Sequence, residues 1–207
     1  MSDERSQVVA NLARIADRWR DCRCCPLHAT RSNVVMWRGN PLARLVVVGE
    51  APGANEDEEG KPFVGRAGRL FDDLCGSVIP YGPEPWSYFL ANTIGCRPPN
   101  NRKPTREEWR ACYPRLFAML GVVQPKVVLL LGSTALEFLV GWHGIEKNRK
   151  KWMRVEYEWR RRTIVVPALA TYHPAYLLRD PSVTKQTVAD IRMAWEKAQP
   201  GSWVEGD

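Results

Sequence analysis

Arg44-Leu-Val-Val-Val48 is an uninterrupted apolar run closed by Gly49, and Lys126-Val-Val-Leu-Leu-Leu131 repeats the pattern before Gly132. A strand with one wet face alternates apolar and polar side chains. A strand covered on both faces does not, and such strands belong to parallel sheets layered between helices. Tyr88–Thr93 and Thr163–Val166 read as two further strands. Helices fall between and around them. Gln7–Arg20 places Val8, Leu12, Ile15, Ala16 and Trp19 on one face, and Arg66 to Gly76 forms a second helix. Thr105 with Glu108 makes a capping box for a third, through about Leu120. Gly132-Ser-Thr134 leads into a fourth, ending near Gly141, and Ser182 caps a last one that runs to about Trp195. This alternation predicts an α/β fold, a three-layer α/β/α sandwich around a short, mostly parallel sheet. Residues 1–196 are expected to form a single domain and 197–207 a flexible tail.

In such folds, ligands bind beyond the carboxyl ends of the strands. The unusual sequences lie there: Gly49–Gly65, Asn92–Pro104 and Tyr172–Arg179, with loops read over Glu50–Gly65, Cys96–Pro104 and Tyr172–Asp180. The chain of 207 residues has a net charge of +7. Eight basic residues fall between Lys147 and Arg162 against Glu156 and Glu158, so this segment carries +6. With Trp152, Tyr157 and Trp159 interleaved, it suits a polyanion, and equally a solvated hairpin. No run of about 18 apolar residues occurs, and MSDERSQ lacks a signal-peptide pattern, so a cytoplasmic protein off the membrane is expected.

In that compartment the six cysteines are read as thiols or metal ligands rather than disulfides. Cys22 and Cys25 form a C-x2-C pair, and Cys96 and Cys112 lie downstream. Four such sulfurs suit zinc or an iron–sulfur cluster, and softness alone does not separate the two. Cys75 reads as a small buried hydrophobe.

Four motifs in order resemble the family 4 uracil-DNA glycosylases. They are Gly49-Glu-Ala-Pro-Gly53 with Glu56-Asp57 and Gly60-Lys-Pro-Phe-Val-Gly-Arg-Ala-Gly68; Asn92-Thr-Ile-Gly-Cys-Arg-Pro-Pro99; Leu129-Leu-Leu-Gly-Ser-Thr-Ala135; and His173-Pro-Ala-Tyr-Leu-Leu-Arg179. The resemblance implies a 4Fe–4S cluster on Cys22, Cys25, Cys96 and Cys112. It also implies an enzyme that flips uracil from single- or double-stranded DNA and hydrolyses its N-glycosidic bond, starting base excision repair. Phe63 matches the residue that stacks on the base, and Asn92 the one that reads its polar edge. Glu50, Ala51, Pro52 and Glu56 match the rest of the uracil pocket. His173 matches the donor to a uracil oxygen as negative charge builds. Ser133, Thr134, Leu177, Leu178 and Arg179 match DNA contacts: phosphate at a helix start, apolar wedges in the minor groove, and an arginine on phosphate.

Where the better-known branch of the superfamily has an Asp to position water, this chain has Ala51. Glu50 and Glu56 are therefore the candidates to orient water or stabilise the sugar cation. The basic segment lacks an Arg-Gly found in relatives, and no histidine-bearing loop of the covalently trapped branch follows the second motif, so turnover is expected. The implied enzyme is a monomer at the nucleoid, with a sliding clamp left open as a partner. A catalytically inactive DNA-binding member of the fold and a glycosylase for another deaminated base are the alternatives; an unrelated zinc protein is a further one.

Overall fold

The computed structural model describes residues 2–79 and 87–201. Six strands form one sheet in the order β1-β3-β2-β4-β6-β5: β1 Trp37–Gly39, β2 Leu45–Gly49, β3 Tyr88–Asn92, β4 Val127–Leu131, β5 Met153–Trp159 and β6 Arg162–Thr171. The central four, β3-β2-β4-β6, are parallel, and β1 and β5 pair antiparallel at the edges. Every residue of β2, β3 and β4 is buried, as their unbroken apolar runs require.

Successive side chains alternate between the two covered faces. Val46, Val48, Phe89, Val128 and Leu130 pack on α1 (Ser2–Trp19), α4 (Arg106–Val123) and α5 (Gly132–Val140). Val47, Leu90, Leu129 and Leu169 pack on α3 (Arg66–Gly76) and α8 (Thr184–Ala198), with α7 (Pro174–Leu177) at their rim. The result is the three-layer α/β/α sandwich. Cys75 is buried in this second core, where burial holds its thiol far above the usual range.

Thr105 and Glu108 form the expected capping box. Two short helices, α2 (Ala54–Glu59) and α7, fall in segments read as loop, and a third, α6 (Ile145–Asn148), overlaps the start of the basic segment. Ser182 does not cap the last helix. It sits in a 3-10 turn, Pro181–Val183, where Asp180 accepts from its backbone N–H and hydroxyl, and α8 starts at Thr184. That helix also runs to Ala198, two residues into the segment read as a tail; 202–207 lie outside the described residues.

The basic segment turns out to be divided. Its turn, Arg160 and Arg161, lies at the start of β6, while His173 follows the end of the same strand. Ten residues at ~3.3 Å each separate the turn from the carboxyl end of the sheet by about 30 Å. The hairpin tip therefore stands on the face opposite the strand-end loops.

Candidate active site

The loops after β2, β3, β4 and β6 enclose a cleft of about 1100 Å³, lined among others by Glu50, Phe63, Asn92, Ser133, Tyr172 and His173. Phe63, Asn92 and His173 come from three separate motifs, and the fold brings them together. A Cβ on Gly49 would lie 2.4 Å from Phe63 Cζ and 2.6 Å from Asn92 Oδ1, so only glycine lets both side chains close over the end of β2. The rings of Phe63 and His173 face each other at 28° with centroids 6.2 Å apart.

Phe63 reaches this place through a left-handed backbone, φ 58°, a conformation that a bulky residue adopts at a cost of about 1–2 kcal/mol. Arg38 holds it there, donating to the carbonyls of Pro62 at 2.7 Å and Phe63 at 3.0 Å while its guanidinium pairs with Asp72. Asn92 is 3% exposed, yet its side-chain amide makes no hydrogen bond among the described residues. Its polar atoms are open to the cleft it lines, where they stay available to a ligand.

His173 precedes α7, and its Nδ1 accepts from the Ala175 N–H at 3.2 Å. The proton of the neutral ring therefore sits on Nε2, making that nitrogen a donor. Burial, then the Arg179 charge, pushes the imidazole down to about 4, so it is neutral at physiological pH.

The two acidic candidates differ. Glu56 is engaged on both oxygens, accepting from Gly65 N–H at 2.7 Å and Gly53 N–H at 3.1 Å, and it ties the two ends of the motif-one loop together. Glu50 accepts from the Thr134 hydroxyl on one oxygen, and the other has no partner among the described residues. Thr134 is buried and its hydroxyl is taken by Glu50, so only its backbone N–H, in the first turn of α5, is left for the phosphate contact that the sequence suggests. Ser133 lies exposed in the first turn of α5 and is not its N-cap, which is Leu131. Leu177 is 2% exposed and belongs to the core; Leu178 and Arg179 are the exposed members of that trio. Ala51 and Pro52 line the cleft floor, and Ala51 also packs on the cluster that holds Cys96.

Cys22, Cys25, Cys96 and Cys112 are free thiols that gather on one side of this cleft: Cys112 interacts electrostatically with each of the other three. Burial raises Cys22 and Cys25 and pushes Cys96 up to about 12. Among the described residues no three ligand side chains close around a single metal ion. A polynuclear cluster holds its thiolates farther apart than a lone ion with bonds of about 2.3 Å.

The surroundings fit an anionic sulfur centre. Arg31 donates to Cys96 Sγ at 3.6 Å, Gly95 N–H to Cys112 Sγ at 3.3 Å and Arg115 Nε to Cys112 Sγ at 3.4 Å. Arg115 is wholly buried and pairs with no carboxylate among the described residues. The indole N–H of Trp109, packed beside Cys25, Cys96 and Cys112, is buried without a partner. Arg31, Arg38, Arg115 and Trp109 had escaped the sequence reading. For Arg115 a signal existed: it is a cation three residues after Cys112, on the face of α4 that carries Leu116 and Met119 into the core.

The family model described as the uracil DNA glycosylase superfamily matches residues 36–199, a span that holds both the sheet and the cleft. The chain belongs to the uracil DNA glycosylase superfamily. It is 40% identical over 168 residues to the type-4 uracil-DNA glycosylase of Thermotoga maritima, covering 81% of this chain and 83% of that one. It is 35% identical over 184 residues to the type-4 uracil-DNA glycosylase of Pyrobaculum aerophilum, covering 88% and 92%. Similarity to a type-5 uracil-DNA glycosylase of Thermus thermophilus is 33% over 156 residues and covers 61% of this chain. Gly132 lines the cleft, and an added Cβ there would stand 3.0 Å from His173 Cβ, so glycine at this position leaves room for the imidazole.

Proposed function

We propose that this protein is a uracil-DNA glycosylase that hydrolyses the N-glycosidic bond of an everted deoxyuridine, working as a cytoplasmic monomer on nucleoid DNA. The observation that carries the reading is the unpartnered amide of Asn92, which lines the same cleft as Phe63 and His173. Uracil entering the cleft stacks on Phe63. The Asn92 amide donates to one carbonyl oxygen and accepts from the ring N–H, a pairing that cytosine does not match. His173 Nε2–H donates to the other uracil oxygen as the C1′–N1 bond breaks and the electron pair moves onto the base. The free oxygen of Glu50 orients a water towards C1′ and stabilises the sugar cation; the water's oxygen bonds to C1′ and its proton leaves to solvent. Glu56 acts as a positioning residue, holding Gly53 and Gly65.

Leu178 and Arg179 supply the exposed apolar and basic contacts to the DNA beside the cleft. Cys22, Cys25, Cys96 and Cys112 hold a 4Fe–4S cluster, which fits the N–H donors around the sulfurs and the unmatched charge of Arg115. When bound, the cluster supplies a rigid covalent junction between the N-terminal turn, the loop after β3 and α4.

The test is release of free uracil from single- and double-stranded DNA, read together with the iron and acid-labile sulfide content of the purified protein. Release that leaves an abasic site, with about four irons per chain, supports the reading. Tight binding to uracil-containing DNA without base release would instead select a non-catalytic binding protein.

A further inference from the structure

On the face opposite the cleft, a groove of about 970 Å³ runs around the amino-terminal ends of β2 and β4 and the β5–β6 hairpin. Arg44, Lys126, Arg154 and Lys197 line it together with Trp152 and Trp159, and no carboxylate does. Arg160, Arg161 and Arg162 continue the charge along its rim, all exposed, with the Arg160 guanidinium 5.7 Å over the Trp159 ring. The nearest acids, Glu156 and Glu158, project from the same hairpin, and Glu158 accepts from Thr163.

Of the cations that line the catalytic cleft, Arg102 pairs with Glu108, while Lys147 and Arg179 make no ion pair among the described residues. On the rear face, Lys126, Arg154, Arg160, Arg161 and Arg162 make no ion pair among the described residues. Trp152, 39% exposed, offers an open indole at the end of β5 away from the arginine turn, two residues from Arg154. Unpaired cations beside an exposed aromatic ring are an arrangement that holds single-stranded nucleic acid, phosphates on the cations and an unstacked base on the ring.

We propose that this rear groove is a second DNA site, one that takes single-stranded DNA without regard to uracil. Its hairpin turn lies about 30 Å from His173, the length of β6, its near end lies at Met153 opposite Ala168, and no residue lines both groove and cleft, so it holds DNA other than the nucleotide in the cleft. The proposal concerns uracil-free DNA and so can stand or fall separately from the glycosylase reading.

The Arg160→Asn/Arg161→Gly double variant is the test, because both arginines have φ above 50° or at it, and Asn-Gly is the pair such a two-residue hairpin turn favours. It removes two charges while suiting the fold, so its melting temperature should equal or exceed the parent's. Binding of a uracil-free oligothymidylate, followed against salt, should weaken roughly tenfold at low salt, and the slope of log affinity against log salt should fall by about 1.4. Trp152→Ala should weaken the same binding several-fold with no change in slope. Uracil release from an oligonucleotide short enough to fill only the cleft should be unchanged in both variants. Unaltered oligothymidylate binding in both variants would overturn the proposal. So would a parallel loss of uracil release from the short substrate, which would place the hairpin within the catalytic footprint. Equal competition by polyglutamate, with Trp152→Ala silent, would also overturn it, by reducing the face to unspecific charge.

Discussion

The guanidinium of Arg115 donates to the backbone carbonyl of Asn92 at 2.7 Å while its Nε donates to Cys112 Sγ at 3.4 Å. One buried side chain therefore links Cys112 to the end of β3 that carries Asn92, and so joins the proposed cluster site to the proposed base-reading residue. Arg115→Met leaves the Asn92 carbonyl without its donor, at a cost of about 1–3 kcal/mol. The expected result is a fall in kcat/KM for uracil release of at least about tenfold, with weaker visible absorption from the cluster. Arg115→Lys, which keeps the charge but not the fork, should restore absorption more than activity. Steady-state kinetics and absorption spectra on both variants check this.

Gly49→Ala tests the convergence of Phe63 and Asn92. The added methyl meets Phe63 Cζ at 2.4 Å and Asn92 Oδ1 at 2.6 Å, and both must shift. The sheet around it is unaffected by the backbone requirement, since Gly49 has no positive φ. Uracil release should fall by about two orders of magnitude, as for loss of a transition-state donor, while circular dichroism stays that of the parent.

The strands were legible because β2 and β4 are covered on both sides and their apolar runs are unbroken. β6 was seen only as far as Val166 because Pro167 interrupts it. Pro167 is tolerated there because pairing with β4 begins one residue later, at Ala168, so its missing N–H removes no bond to that neighbour. β1 and α2 were not legible at all: three residues at a sheet edge carry no period, and Ala54-Asn-Glu-Asp-Glu-Glu59 has no apolar face. The motif residues Phe63, Asn92 and His173 were recognisable in sequence. Which leucine of Leu177-Leu178 faces the core was not, because a helix of four residues is too short to show a face. Nor does a charge count tell which end of a sheet a hairpin turn occupies.

Glu50 and Glu56 should separate in kinetics and stability. Glu56 accepts two backbone N–H groups, and hydrogen bonds to a charged group are worth about 1.5–3 kcal/mol each. Glu56→Ala should lower the melting temperature clearly and loosen the loop, with KM rising. Glu50→Gln keeps an acceptor for Thr134 and should melt near the parent, yet lose about tenfold or more in kcat with little change in KM. Thermal melts beside kinetics on the two variants distinguish a loop tie from a water-orienting group. Equal effects on both properties would refute the division.

His173 sets the acid limit. Its folded pKa of about 4 lies below the ordinary 6.5, so the folded protein binds the proton less readily than the unfolded chain. His173 thus contributes stability that is fully present above pH 6.5 and is progressively lost as the pH falls towards 4. Catalysis follows a different edge. The neutral Nε2–H donor persists until the folded group itself titrates, so kcat should be level from neutrality to about pH 5 and drop only near 4. Replacing Arg179 by Gln removes the smaller of the two influences, leaves burial in place, and should move that edge upward slightly. Single-turnover uracil release across this pH range, on the parent and Arg179→Gln, measures it. A kcat edge near 6.5 in the parent would mean that the imidazole is solvated when it acts, and that its burial plays no part in keeping it neutral.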